Sequence, residues 1–83
     1  VAVEQGPHGI RVNAVCPGPT HTSMIEKYAR DKNTTLEALG VELPLRKIGQ
    51  PQDVAEAVVW LCSDKSGNTT GSLVMVDGGY TAQ

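Results

Sequence analysis

The amino-acid sequence predicts an α/β fold, in which two parallel strands are joined by a crossover that consists of helices. Residues 10–16 and 73–76 predict the strands, because both runs are mostly apolar and rich in β-branched side chains. A strand that is apolar at nearly every position is typical of a parallel sheet that is covered on both faces. The sequence between the runs carries helix-capping residues and helical spacing of apolar side chains, so we expect a right-handed crossover.

The composition of the 83 residues limits the possible functions. A net charge of −2 and an isoelectric point near 5.5 argue against binding to a nucleic-acid backbone, which needs a basic face. No apolar run approaches the roughly 20 residues of a membrane-spanning helix, and no secretory signal is visible. Cys16 and Cys62 form neither a disulfide framework nor a paired zinc motif, so we expect a reducing, cytoplasmic location.

Residues 1–9 predict the end of a helix and a turn. Residues 1–5 have the character of a last helical turn. Gly6 suits the left-handed conformation that ends a helix, and Pro7 cannot continue one. Because a chain that starts inside a helix, and not with Met, is typical of a cut chain, we expect a longer protein upstream.

A strand with a Pro-Gly motif is predicted over 10–18, and a capped helix follows it. Thr22 or Ser23 caps this helix. Ser23 and Glu26 have the spacing of a capping box, and Glu26 and Arg30 have the spacing of an ion pair across one turn.

A second, short helix is predicted from the capping-box spacing of Thr34 and Glu37, and it ends at Gly40. Residues 41–49 are expected to be a linker, since they contain a proline and a glycine. The region 19–49 thus separates the first strand from the next helix.

The clearest element is a helix over 51–63. Pro51 suits the first helical position, and Asp53 lies in the first turn, where the helix dipole favours a carboxylate. Apolar side chains surround most of the helix, so we expect other elements to cover it on two sides. A polar turn follows, and the last strand is predicted within 72–79. The side chains predicted to share one helix face are Val54, Val58, Leu61 and Cys62.

The carboxyl end of the first strand is where an open parallel sheet binds ligands. Gly18 has no Cβ, so a flat ligand has room to lie against its backbone. Thr20 and Thr22 follow, and Thr22 precedes a helix N-terminus, where free N–H groups favour an anion. The stretch 17–23 is thus predicted to hold a nucleotide ring, with a phosphate against Thr22. The alternative is that the Pro-Gly pair only turns the chain and Thr22 only caps the helix.

Other side chains carry weaker chemical signals. Met24, Ile25 and Tyr28 have helical spacing, and they either line a pocket for an organic substrate or pack in the helix core. His8 and His21 are expected on solvated loops, without an orienting carboxylate nearby in sequence. No metal site is predicted. The remaining candidates are Cys16, interpreted as a small buried residue, and Asp77, interpreted as a turn-forming carboxylate rather than a cation ligand.

Four groups of residues occur in order along the chain: Gly9 to Gly18 (GIRVNAVCPG) with Thr22, Gly49 to Ala55 (GQPQDVA), Trp60 to Asp64 (WLCSD), and Thr70-Gly71 leading to Val76 to Tyr80 (VDGGY). In this order and spacing they resemble the short-chain dehydrogenase/reductase family. The resemblance covers the whole chain, and the groups together are far more specific than any one of them.

The resemblance implies the C-terminal part of a single NAD(P)-binding Rossmann domain. Members of the family transfer hydride between NAD or NADP and an alcohol or carbonyl substrate. The resemblance implies that Pro17 and Gly18 carry backbone toward the nicotinamide, that Thr20 lies near its carboxamide, and that Thr22 meets the pyrophosphate. It also implies a division of the chain into a substrate-lid region at 19–49 and a subunit-interface surface at 50–64 and 72–79, and hence a homo-oligomer.

The family's catalytic Ser and its Tyr-x-x-x-Lys pair are expected upstream of this chain. Tyr28 and Lys32 have the spacing of that pair, but they follow the Pro-Gly motif and do not inherit its role. We therefore expect the 83 residues alone to have no dehydrogenase activity. The competing hypothesis is a non-enzymatic interaction module that pairs through the apolar helix at 51–63.

Overall fold

The computed structural model describes residues 1–83 and contains one two-stranded sheet. Its strands are β1, Ala14–Pro17, and β2, Leu73–Val76, and they pair in parallel with Ala14 opposite Leu73. This confirms the predicted parallel pair. The α-helices are α1 (Ala2–Gln5), α2 (Ser23–Asp31), α3 (Leu36–Val41) and α4 (Pro51–Cys62), and single turns of 3-10 helix cover Gly6–His8, Asp64–Ser66 and Tyr80–Ala82.

The turn after α1 is made by Gly9 rather than by Gly6. Gly6 has a φ of −52° and continues into a right-handed 3-10 turn, in which Pro7 occupies one of the first positions. Gly9 has a φ of 75° and takes the left-handed conformation. The predicted end of the α-helix at Gly6 is confirmed, but the left-handed conformation predicted there is wrong, because a proline near the start of a helical turn needs no N–H partner and lets a 3-10 turn follow.

β1 begins at Ala14 and not at Ile10, because side-chain contacts interrupt the regular backbone ladder before it. The Asn13 side chain donates to the Thr69 carbonyl oxygen at 3.0 Å and accepts from the Ser72 N–H at 3.0 Å. A backbone bond from the Gly71 N–H to the Val12 carbonyl oxygen at 2.8 Å also joins the two segments, whereas the Val12 N–H donates to the Thr70 hydroxyl at 3.1 Å. The residues of both strands are half-buried or exposed, so this chain does not supply the coverage predicted for both faces of the sheet.

Threonine side chains cap α2 and α3. Thr22 Oγ1 accepts a backbone N–H of α2 at 3.3 Å, which decides between Thr22 and Ser23 as the cap. Thr35 Oγ1 accepts a backbone N–H of α3 at 3.1 Å, so the prediction of Thr34 is wrong by one position. The N–H of Thr34 instead donates to the Ala29 carbonyl oxygen at 2.9 Å and extends the end of α2.

α4 is closed by side chains at both ends. At its start, the N–H of Gln50 donates to the Asp53 carboxylate at 2.8 Å, which completes a capping box. At its end, the buried hydroxyl of Ser66 lies 2.9 Å from the carbonyl oxygens of Trp60 and Leu61. The start of the helix is therefore fixed by adjoining residues, whereas at its end the distant Arg11 also donates to the Leu61 carbonyl oxygen at 2.8 Å.

The apolar surface of α4 is open within this chain. None of its residues is buried; Val58 is 43% exposed and Val59 is 68% exposed. The prediction that other elements cover the helix on two sides is therefore not met by these residues. Burial of apolar area is the main favourable contribution to folding and association. The exposed apolar surface of α4 would therefore be stabilised by contact with further parts of the protein or with another subunit.

The fold has a small interior. Five of the 83 residues are buried, and the radius of gyration is 15.7 Å, whereas a compact domain of this length has about 12 Å. A sheet of two strands is marginal until more strands or helices cover it. The sheet and α4 thus present apolar surface that further elements or a second subunit would cover. None of the helices has the length and apolar character needed to cross a bilayer.

Candidate functional site

The loop after β1 is held between β2 and the segment before α4. The N–H of Gly18 donates to the Val76 carbonyl oxygen at 3.0 Å and continues the parallel pairing past the strand. Gly49 then donates to the Pro19 carbonyl oxygen at 3.0 Å and accepts from the N–H of His21 at 2.8 Å. The loop therefore has a defined path at the carboxyl ends of both strands, which is the usual ligand position in parallel sheets.

Gly18 is required by its neighbour Asp77. A Cβ built on Gly18 would lie 2.6 Å from Asp77 Cβ and 2.7 Å from Asp77 Cα, closer than real Cβ atoms approach. The space that a side chain would occupy is thus already filled by the start of the turn after β2. The expectation that the missing Cβ leaves this space for a flat ligand is wrong on this side of the glycine.

Backbone donors are available in the loop at Thr20 and Thr22. The N–H groups of both residues donate to no acceptor in the chain. The Thr20 hydroxyl is used internally and donates to the Gly18 carbonyl oxygen at 2.9 Å. Unpaired N–H groups beside a helix N-terminus suit the carboxamide oxygen and the pyrophosphate of a dinucleotide, so the residues present fit that group. Capping by the Thr22 side chain does not exclude this, because the cap uses its hydroxyl and leaves its N–H unpaired.

His21 and Glu26 form a pair that the sequence analysis missed. His21 Nε2 lies 2.7 Å from Glu26 Oε1, and each side chain is roughly half exposed. Glu26 therefore does not pair with Arg30 as predicted; the ion pair along α2 joins Lys27 and Asp31 at 2.8 Å. The sequence did contain a signal for this contact. His21 directly precedes the capping residue and Glu26 is the fourth residue of the helix, and side chains at these two positions meet in the motif called the hydrophobic staple.

The predicted substrate residues separate into two groups. Ile25 and Tyr28 line a cavity of about 370 Å³. Met24 does not line it and is 82% exposed, because it lies on a different side of α2. The other cavity residues come from the loop after β1, from the region around α3 and from the last residues of the chain: Pro19, Leu39, Glu42, Leu43, Tyr80 and Gln83.

The Asp77 carboxylate is engaged in the turn after β2. It accepts from the N–H of Gly79 at 3.0 Å, the N–H of Thr81 at 3.1 Å and the Thr81 hydroxyl at 2.7 Å. The hydrogen bond from the Thr81 hydroxyl, followed by the backbone ones, lowers the pKa of Asp77 below its usual value. The chain contains no cluster of three or more side chains suited to a metal ion.

Comparison with known proteins identifies the family. The family model described as enoyl-(acyl carrier protein) reductase matches residues 1–81. A short-chain dehydrogenase family protein from Francisella tularensis is 43% identical and superposes with a TM-score of 0.85, covering 99% of this chain and 37% of that one. The chain belongs to the short-chain dehydrogenase/reductase family.

Two further similar proteins show the range of similarity. An A-factor type gamma-butyrolactone 1'-reductase (1S-forming) from Streptomyces virginiae is 42% identical over 80 residues, which are 96% of this chain and 31% of the reductase. The structure of ElxO with NADP bound is 32% identical, with a TM-score of 0.85 over 99% of this chain and 33% of ElxO. This short-chain dehydrogenase/reductase chain thus spans about a third of the length of the relatives it matches.

Proposed function

We propose that the chain forms the nicotinamide-side wall of an NAD(P)-dependent oxidoreductase, which transfers hydride between the cofactor and an alcohol or carbonyl substrate. The observation that carries the proposal is the pair of unpaired N–H groups at Thr20 and Thr22, which lie beyond the carboxyl end of β1 and beside the N-terminus of α2. Family membership supports it, because the similar proteins are reductases and dehydrogenases and one of them holds NADP.

Each part of the loop has a proposed role toward the cofactor. Pro17 and Gly18 present backbone to the nicotinamide, and the N–H of Thr20 binds its carboxamide. The N–H of Thr22 and the positive end of the α2 dipole bind the pyrophosphate. The nicotinamide, when bound, donates or accepts the hydride. Ile25 and Tyr28 contact the substrate in the cavity, and Met24, which is exposed on a different side of α2, is proposed to contact only a substrate that extends beyond the cavity.

Proton transfer is assigned to residues outside this chain. We propose a tyrosine as acid and base, with a lysine that lowers its pKa, in the preceding part of a longer protein. The 83 residues alone would then lack dehydrogenase activity. The two free cysteines, Cys16 and Cys62, agree with a reducing compartment, and we propose the cytoplasm.

Replacement of Thr22 by Asp separates cofactor binding from helix capping. Asp caps helices at least as well as Thr, so the free energy of unfolding should change by less than about 0.5 kcal/mol. The added carboxylate repels the pyrophosphate, and the Kd for NADH or NADPH should rise about tenfold or more. The measurement is a fluorescence titration of the full-length protein with each reduced cofactor.

Thr35→Asp is the matched control, because Thr35 caps α3 with the same geometry. This variant should keep the cofactor Kd within about twofold of the wild type. An unchanged Kd in Thr22→Asp would mean that Thr22 only caps α2. If the wild-type protein bound neither cofactor, the competing proposal of a non-enzymatic interaction module would be favoured.

The exposed apolar surface of α4 supports a homo-oligomer, which we propose for the full-length enzyme. Val58→Asp introduces a charge that is hydrated in a free subunit, where Val58 is 43% exposed, but desolvated in an interface at a cost of several kcal/mol. We expect the oligomer to dissociate in analytical ultracentrifugation, with unchanged helix content. Gln52→Asp, at an exposed polar position of the same helix, should leave assembly unchanged; equal assembly of both variants would contradict an interface at Val58.

A further inference from the structure

We propose that His21 is a positioning residue for the cofactor, which acts by neutralising the Glu26 carboxylate beside the pyrophosphate position. This role rests on the proposed oxidoreductase function and adds control of cofactor affinity to it. The contacts that support it all lie within the chain.

The backbone of His21 fixes the direction of the two N–H groups that are proposed to bind the cofactor. The N–H of His21 donates to the Gly49 carbonyl oxygen at 2.8 Å, and Thr20 pairs with Gly49 in a parallel bridge. Successive N–H groups point to opposite sides of an extended backbone. The hydrogen bond to Gly49 therefore directs the N–H groups of Thr20 and Thr22 to the other side, where no atom of the chain accepts them.

The side chain of His21 holds the first turn of α2 against the same loop. His21 Nε2 lies 2.7 Å from Glu26 Oε1, and the N–H of Glu26 donates to the Thr22 carbonyl oxygen at 3.0 Å. Glu26 is the acidic residue of this first turn. Its carboxylate therefore lies within one helical turn of the Thr22 N–H that is proposed to bind the pyrophosphate.

The charge of this carboxylate opposes cofactor binding unless it is compensated. A carboxylate in the first turn stabilises a helix, but it competes with a bound anion for the positive end of the dipole. A protonated His21 compensates Glu26 at 2.7 Å, whereas a neutral imidazole donates a hydrogen bond and leaves the negative charge in place. Because histidine changes its charge between about pH 5 and pH 8, the pair should favour the anionic cofactor at the acid end of this range.

Other charged side chains around His21 are engaged elsewhere or lie further from it. His21 lines one cavity together with Glu37 of α3 and with Arg46 and Lys47 from the segment before α4. Arg46 is already bonded to a backbone carbonyl oxygen of α3 at 2.7 Å. Of these groups and Glu26, only Glu26 is bonded to the His21 side chain. Protonation of His21 therefore compensates the charge of Glu26 most strongly.

Replacement of His21 by Gln at two pH values tests this role in the full-length protein. At about pH 6 the Kd for the preferred cofactor, NADH or NADPH, should rise about threefold to fivefold, because Glu26 loses its cationic partner. At about pH 8 the variant and the wild type should agree within about twofold, since an imidazole is then uncharged. Comparison at the same pH also cancels the titration of the 2′-phosphate of NADPH.

A second substitution, Glu26→Gln, distinguishes the effect of charge from an effect of structure. The double variant His21→Gln/Glu26→Gln has no carboxylate beside the pyrophosphate, so its Kd at about pH 6 should return to within about twofold of the wild type. A merely structural role predicts no such recovery, because the double variant also lacks the contact between imidazole and carboxylate. Both side chains are roughly half exposed, so the urea midpoint should shift by less than about 0.3 M in each variant.

Lys27→Gln is the matched control, because it removes the cation of the other exposed ion pair of α2. Lys27 Nζ lies 2.8 Å from Asp31 Oδ2, and Asp31 is the last residue of the helix. The carboxylate left unpaired is then roughly 12 Å along the axis from Ser23, which exceeds the screening length of about 8 Å at physiological ionic strength. The cofactor Kd should stay within about twofold of the wild type at both pH values.

Cofactor binding by the wild type, followed by fluorescence, separates the two proposals. If the wild type binds neither NADH nor NADPH, the proposed function fails and the role of His21 fails with it. If the wild type binds a cofactor, the role of His21 alone is overturned by any of these results: an unchanged Kd in His21→Gln at the lower pH, an equal rise at both pH values, a double variant as weak as His21→Gln, or an equal effect of Lys27→Gln.

Discussion

Replacement of Arg11 by Met is expected to lower the free energy of unfolding by about 2–4 kcal/mol. The guanidinium group donates to the Leu61 carbonyl oxygen at 2.8 Å, to that of Thr69 at 3.1 Å and to that of Ser63 at 3.2 Å. It therefore joins the segment before β1 to the C-terminal end of α4 and to the turn before β2. Met retains most of the apolar stem but leaves these carbonyl groups without their charged donor.

Arg11→Lys shows whether the forked shape matters as well as the charge. A single ammonium group cannot reach acceptors on both segments in the geometry of a guanidinium fork, so we expect this variant to recover less than half of the lost stability. Urea denaturation of the full-length protein, with the m-value checked for constancy, gives the comparison. Stability of Arg11→Met within about 0.5 kcal/mol of the wild type would show that the hydroxyls of Ser63 and Ser66 close the end of α4 without the guanidinium.

Elements whose signals are local were predicted within a residue or two. β2 matches its predicted run of 73–76, since four apolar residues lie between a polar turn and a Gly-Gly turn. α4 begins at Pro51 as expected, because its capping box lies within the adjoining residues. The start of β1 was wrong, because it depends on Asn13 bonding to Thr69 and Ser72, which are distant in sequence. Contacts between side chains so far apart in sequence produce no recognisable sequence pattern next to the strand.

The candidate site shows the same division between local and distant contacts. Thr22 was recognised because capping is a local property. Gly18 was predicted to leave room for a ligand because it has no side chain. In the structure, Asp77, which follows the other strand, fills the space that a Cβ on Gly18 would occupy. Glu42 lies in the region 19–49 that the resemblance assigned to the substrate lid, whereas Tyr80 was missed as a cavity residue because nothing near it in sequence indicates that it lies beside α2.

Substitution of Gly18 is the second change with a large expected effect. A Cβ at this position would overlap the Cα and Cβ of Asp77, and neither atom can move without moving the backbone after β2. We expect Gly18→Ala to cost about 2–3 kcal/mol of unfolding free energy and Gly18→Val more, since overpacking forces the backbone to shift. The hydrogen bond from the N–H of Gly18 to Val76 should weaken as the strand ends separate.

Cofactor affinity should fall in the same variants, because a shifted backbone displaces the N–H groups of Thr20 and Thr22. Gly6→Ala is the control: Gly6 has a right-handed helical φ and no atom within 4 Å of an added Cβ, so its stability should change by less than about 0.5 kcal/mol. Urea denaturation and cofactor titration together decide what the glycine does. Gly18→Ala with normal stability and lost cofactor affinity would assign the glycine to the ligand, whereas loss of both assigns it first to the contact with Asp77.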